Sequence, residues 1–223
     1  MQKSILRLGL LFLSFQTALQ TLAQVPPFRD EIMAFKRQDS IAPPKTGEIL
    51  FTGSSSFRIW KDVDAAFPGY GIINRGFGGS TLPDVTRYVK ELIFPYKPRQ
   101  IVLYCGDNDL AVSDTVTAQV VYRRFQELYK TIREGLPNTP ILYVSIKPSP
   151  SRERLLPRIL EANLLIKNYL HQQKHTAYAD VYYPMLSPEG KPVDSLFQSD
   201  KLHMNANGYA IWQKVLLPYL LKK

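Results

Sequence analysis

The 223-residue chain holds a single cysteine, Cys105, so no disulfide can form within it. Its setting, Ile-Val-Leu-Tyr-Cys, reads as a buried strand residue rather than a nucleophile. Histidine is almost as scarce, with three in the whole chain, and no histidine or cysteine cluster has the spacing of a zinc site. No cofactor or metal is expected. Lys and Arg total 28 against 19 Asp and Glu, a net charge of +9, yet no run of five or six basic residues occurs, so a nucleic-acid partner is not expected. Long apolar runs are also missing. Leu8 to Phe15 is too short to span a bilayer, and Gln16, Thr17 and Gln20 keep it from extending, so no stable membrane anchor is expected. A Walker loop is absent, and Thr81 stands where a Gly-x-Gly-x-x-Gly fingerprint begun at Gly76 would need its last glycine. Gly-x-Ser-x-Gly is absent too, because Phe57 takes its final position.

What is present fits one globular domain with a leader. Hydrophobic residues make up 45% and charged residues 21%, enough apolar material for a full core. Lys3, Arg7, the apolar run after them and the small residues ending at Ala23 read as a secretory signal peptide over residues 1–23. The mature chain is therefore expected outside the cytoplasm, in a periplasm or secreted. Residues 24–47 form an arm with a short helix from Asp30 to Gln38, set between Pro26-Pro27 and Pro43-Pro44. Residues 48–223 form the domain.

Strands and helices alternate through that domain. Strands are expected at Ile49–Thr52, Gly71–Asn74, Gln100–Tyr104, Pro140–Ile146 and Thr176–Val181. Helices are expected from Phe57 to about Ala66, Leu82 to Ile93, Asp114 to Glu134, Glu153 to Gln173, and from an Asn205 cap to about Leu217. This order implies a mostly parallel sheet covered on both faces. Right-handed crossovers then bring the strand-to-helix loops to one sheet edge. Ser54–Ser56, Gly76–Thr81, Gly106–Asp109 and Lys147–Arg152 should meet there.

Each loop has a bland reading and a chemical one. Three serines opening a helix can be a cap, or one can be a nucleophile that needs a base. Asp200 and His203, three apart before a helix, can be a capping aspartate beside a surface histidine. Equally, the carboxylate can fix one imidazole nitrogen and leave the other as a base. The Gly76–Gly79 glycines and Asn108 can form a turn and a cap, or supply donors to an oxyanion. His171 and His175 read as solvated helix-end residues. Arg58, Trp60, Arg75, Lys147 and Arg152 fall near the expected site edge, where they could contact sugar or an anion, or serve as ordinary surface and packing residues.

These blocks, from about Glu48 to Tyr209, resemble the SGNH hydrolases, the GDSL esterase/lipase superfamily. Gly53-Ser54-Ser55 is similar to the family's Gly-Asp-Ser, with Ser54 in the usually acidic position. Gly79, Gly106-Asp107-Asn108-Asp109 and Asp200-Lys-Leu-His203 match the later blocks. The resemblance implies a flavodoxin-like three-layer α/β/α sandwich with about five strands. It also implies ester hydrolysis through an acyl-serine. Ser55 would be the nucleophile, His203 the base and Asp200 its orienting acid, with Gly79 and Asn108 completing an oxyanion hole. Short acyl groups such as acetyl, on a glycan, a lysophospholipid or another small ester, are the expected substrates. A silent carbohydrate-binding module and an acyltransferase on the same fold are the alternatives. On this reading Ser54→Ala and Ser56→Ala retain most activity, and nothing sets the oligomeric state.

Overall fold

The structure is a computed structural model and describes residues 25–222. The expected signal peptide, with its Ala23 cleavage point, lies outside the described residues. Five strands form one parallel sheet in the order β2-β1-β3-β4-β5. They are β1 Ile49–Gly53, β2 Ile72–Gly76, β3 Gln100–Tyr104, β4 Ile141–Val144 and β5 Thr176–Ala179. Strand β1 pairs with β2 and β3 on its two sides, with Gly53 opposite Gly76 and Tyr104. Those three carboxyl ends therefore finish level with one another.

Successive strand residues face opposite sides of the sheet, and each side has its own core. On one side Leu50, Ile101, Leu103 and Tyr143 pack beneath Ile32, Leu82, Val85, Phe125 and Ile159. On the other, Ile49, Phe51, Val102 and Tyr104 pack with Phe57, Trp60, Val63, Trp212 and Leu216. The first group of helices comprises α1 Arg29–Ile41, α4 Leu82–Arg87, α5 Val89–Leu92, α7 Ala118–Gly135 and α8 Leu156–His171; α2 Ser55–Ile59, α3 Val63–Ala66 and α9 Ala206–Leu216 belong to the second. A short α6 spans Asp107–Ala111. Burial from both sides explains why the central strands read as unbroken apolar runs. The parallel sheet covered on both faces that the alternation predicts, and the three-layer α/β/α sandwich that the resemblance implies, are the fold observed.

Several element boundaries differ from the expectation. The helix expected from Phe57 to Ala66 is two helices, because Asn74 Nδ2 donates to the carbonyls of Phe57 and Trp60 at 2.7 and 3.2 Å and ends α2 there. The stretch from Leu82 to Ile93 breaks at Tyr88, whose hydroxyl donates to Pro27 O at 2.6 Å. Helix α7 begins four residues after Asp114, at a Thr117 cap whose side chain accepts from Val120 N–H. Val116 fits the helical period but is buried ahead of the helix. A 3-10 turn over Pro150–Leu155 replaces the first residues expected of α8, and Pro157 then sits in the first turn of α8, where its missing N–H matters least. Asn205 caps α9 as expected, its Oδ1 accepting from Asn207 and Gly208 N–H. In the arm, α1 buries Ile32 completely and packs Phe28 and Phe35 on the core.

Candidate active site

Strand β1 ends in Gly53, whose φ of 125° suits glycine alone and whose would-be Cβ falls 1.9 Å from Tyr104 O. Backbone can therefore lie directly against the end of β3, and Ser54 N–H donates to that same carbonyl at 2.9 Å. The chain turns here into α2, with Ser55 as the first helical residue. Ser55 Oγ stands 3.0 Å from His203 Nε2, across 148 positions of sequence. The other ring nitrogen, Nδ1, is 2.6 Å from Asp200 Oδ2. Asp200 Oδ1 also accepts the backbone N–H groups of Leu202 and His203, each at 2.9 Å. A single tight turn thus builds the pair, with Lys201 at its apex in the left-handed region (φ 56°). Partial desolvation works against ionising Asp200, but the two amides and the ring outweigh it and hold its pKa down at about 2. With Asp200 ionised, Nδ1–H is its donor and Nε2 is left to accept the Ser55 proton.

Two neighbouring loops approach the same serine. Among the described residues the Ser55 and Gly79 amides have no acceptor, as expected at a helix start and an exposed loop tip. A Cβ on Gly79 would sit 3.7 Å from Asn108 Nδ2, so the glycine loop and the loop after β3 are in contact. Asn108 Nδ2 donates to Ser54 Oγ at 2.7 Å and to Ser80 O at 3.1 Å. Its Oδ1 accepts from Arg152 Nη2 at 2.7 Å. Guanidinium can only donate, so Arg152 fixes which way the amide of Asn108 faces. Asp200, His203, Ser55, Asn108 and Gly79 are thereby brought to one sheet edge.

Other expected roles change. Lys147 and Arg75 are buried, at 2% and 7% exposure, and Trp60 is 3% exposed, so none of the three is an edge residue open to substrate. Lys147 Nζ lies 3.4 Å from Asp107 Oδ2, and Arg152 Nη1 lies 2.8 Å from the same atom. Burial pushes the Asp107 carboxyl up, yet these two cations outweigh it and hold it below the usual range. Burial likewise pushes the Lys147 ammonium down, against the pull of Asp107. Arg75 pairs with Asp39 and with the Tyr96 hydroxyl, and Trp60 stacks on Tyr209 at 4.7 Å between ring centres. Arg58 remains exposed, and His171 and His175 are both exposed. Cys105 is buried, its thiol pushed well up by desolvation, and it donates to Ser80 O at 3.4 Å.

Sequence reading missed three supports. Arg152 on Asn108 could have been suspected only from a cation in a loop bound for the same edge. Ser54 does not cap with its side chain; buried beneath Asn108, it is that residue's acceptor. Asp109 is buried too. Its Oδ2 accepts Leu82 N–H at 2.9 Å, tying the start of α4 to α6, and Oδ1 meets Arg124 at 2.8 Å.

The model of the GDSL-like lipase/acylhydrolase family matches residues 39–211. Among solved structures, a GDSL-like lipase from Bacteroides thetaiotaomicron superposes with a TM-score of 0.73 at 18% identity, covering 85% of this chain and 96% of that one. A carbohydrate esterase family 3 protein from Talaromyces cellulolyticus gives 0.63 at 15% identity, covering 78% and 96%. A variant of an acetyl-xylooligosaccharide esterase from Geobacillus gives 0.62 at 14%, covering 80% and 96%. These likenesses show a shared fold. No curated protein sequence matches at a significant level.

Proposed function

The chain belongs to the GDSL-like lipase/acylhydrolase family, and we propose that it is an exported serine esterase that removes short acyl groups, such as acetyl, through an acyl-serine intermediate. The observation that carries this reading is the line Ser55 Oγ, His203 Nε2, His203 Nδ1, Asp200 Oδ2, with contacts of 3.0 and 2.6 Å at its two ends. Ser55 attacks the ester carbonyl while Nε2 takes its proton, and Asp200 stabilises the imidazolium that forms. The Ser55 and Gly79 amides and Asn108 Nδ2 then hold the oxyanion. Of the two Asn108 donations, the longer one, to Ser80 O, is the one the oxyanion shares. His203 returns the proton to the leaving alcohol, then activates water to free the acid.

One observation supports a carbohydrate ester as the substrate class. Two of the similar folds are named as a carbohydrate esterase and an acetyl-xylooligosaccharide esterase. The basic start and short apolar run within residues 1–23 support export. The reading predicts no nucleic-acid partner and no stable membrane anchor; among the described residues no helix is long and apolar enough to cross a membrane.

The test is hydrolysis of p-nitrophenyl esters across acyl lengths by wild type and Ser55→Ala. Acetate should be cleaved fastest, and Ser55→Ala should lose at least about a thousandfold in kcat. Equal rates in the two proteins would sink the nucleophile assignment. A sugar acceptor added to the same assay separates transfer from hydrolysis.

A further inference from the structure

Helix α1 reaches into the loop that carries Gly79. Glu31 Oε2 accepts the Gly78 N–H at 3.0 Å, and the Phe28 ring packs so closely on Gly78 that a Cβ there would fall 2.2 Å from it. Gly78 itself has φ 35°, a conformation that leaves its neighbouring peptide free to swing unless something holds it. The amide of Gly79 belongs to the peptide that follows Gly78. Fixing Gly78 by its own N–H on one side and by a ring on the other therefore fixes where the Gly79 N–H points. We infer that α1 aims this oxyanion donor and that Glu31 is a positioning residue for the reaction. The inference rests on the esterase reading above.

The arm is held firmly enough to act this way. Arg29 pairs with Glu91 at 2.7 Å, the Tyr88 hydroxyl donates to Pro27 O, and Asp39 receives both Arg75 and the Tyr96 hydroxyl. Phe28 stacks edge-on against Phe77 at 5.4 Å, within the glycine loop. Among these clamps Glu31 is the one whose acceptor oxygen meets the loop backbone. Its charged neighbour is Arg58, at 4.0 Å and partly exposed. The family match begins at residue 39, so all but the last turn of α1 lies upstream of the shared pattern. The buttress therefore lies outside the matched span.

Glu31→Ala and Glu31→Gln separate the backbone bond from the charge, since glutamine keeps an acceptor oxygen. In the mature full chain, Glu31→Ala should lower kcat for p-nitrophenyl acetate about tenfold, with KM within about twofold, as expected for a donor used mainly in the transition state. Glu31→Gln should restore most of that loss. Thermal unfolding checks that each variant is folded, and amide NMR cross-peaks follow the loop without turnover. The Gly78 and Gly79 peaks should move in Glu31→Ala and stay near the wild-type positions in Glu31→Gln. Unmoved peaks, an unchanged kcat in Glu31→Ala, or equal losses in both variants would overturn the inference. A wild type that cleaves no ester would strike the esterase reading alone, because the cross-peaks still report whether the arm aims the loop.

Discussion

Ser54 stands one position before the serine that meets His203 and acts through Asn108, whose Nδ2 it receives at 2.7 Å. Its replacement by alanine therefore matters more than the sequence suggested. Ser54→Ala should lower kcat severalfold, about tenfold at most, consistent with one neutral hydrogen bond of ~1 kcal/mol. The larger effects belong to Asn108 and Arg152. Asn108→Ala should cost about a hundredfold to a thousandfold in kcat with little change in KM. Arg152→Met frees the Asn108 amide to rotate and leaves Asp107 with Lys147 as its remaining cation, so kcat should fall while KM holds. Steady-state kinetics on p-nitrophenyl acetate checks all three, and a rise in KM alone would assign Arg152 to substrate binding instead. The meeting of Ser55 with Asp200 and His203 was expected because the family resemblance singled out Ser55 among three serines and the three-residue spacing of Asp200 and His203 suits a tight turn. The partners of Ser54, Arg152 and Asp109 were not legible, since each contact is made across 15 to 54 positions of sequence and no local pattern encodes it.

Elements hold these residues in place through their ends. Asn205 closes the start of α9 two residues after His203, accepting two helix amides and donating to Ser195 O and Phe197 O. Asn205→Ala should destabilise the protein by about 1–2 kcal/mol, read as a lower urea midpoint. At the start of α4, burial pushes Asp109 up to about 6, against the opposing effects of Leu82 N–H and Arg124. An unfolded aspartate titrates near 3.9, so between pH about 4 and about 6 the folded state holds a proton that the unfolded state has released. Stability from this group is thus full below pH about 4 and is lost as pH rises through about 6. In urea titrations across that window, wild type should lose stability relative to Asp109→Asn; parallel curves would contradict the shift. The strands were readable at this scale because burial on both faces leaves an apolar run. The break after Ile59 was not, because it depends on Asn74, a residue of another element.

The molecule as a whole joins the arm to the sheet by a nearly buried ion pair. Arg75 leaves β2 and meets Asp39 of α1, with the Tyr96 hydroxyl bonded to both and its pKa pushed up to about 12 chiefly by burial. Removing one partner strands the other charge away from water, so Asp39→Ala should cost about 3 kcal/mol in urea unfolding of the protein. A loss confined to a separate early transition would mean that the arm unfolds apart from the sheet. The arm's helix was readable from the proline pairs that flank it, but its reach to Gly78 was not, for nothing in residues 28–31 names a backbone amide as its target.

The distance in sequence between Ser55 and His203, 148 positions, also orders events in time. On the proposed esterase reading, a ribosome makes the nucleophile, then the glycine loop, then Asn108, and delivers the base last. At typical rates of synthesis that interval is on the order of ten seconds or more. Throughout it the growing chain carries a serine with no proton acceptor, and is chemically dormant. Any fragment stopped before Asp200 inherits the same dormancy, however well its sheet is formed.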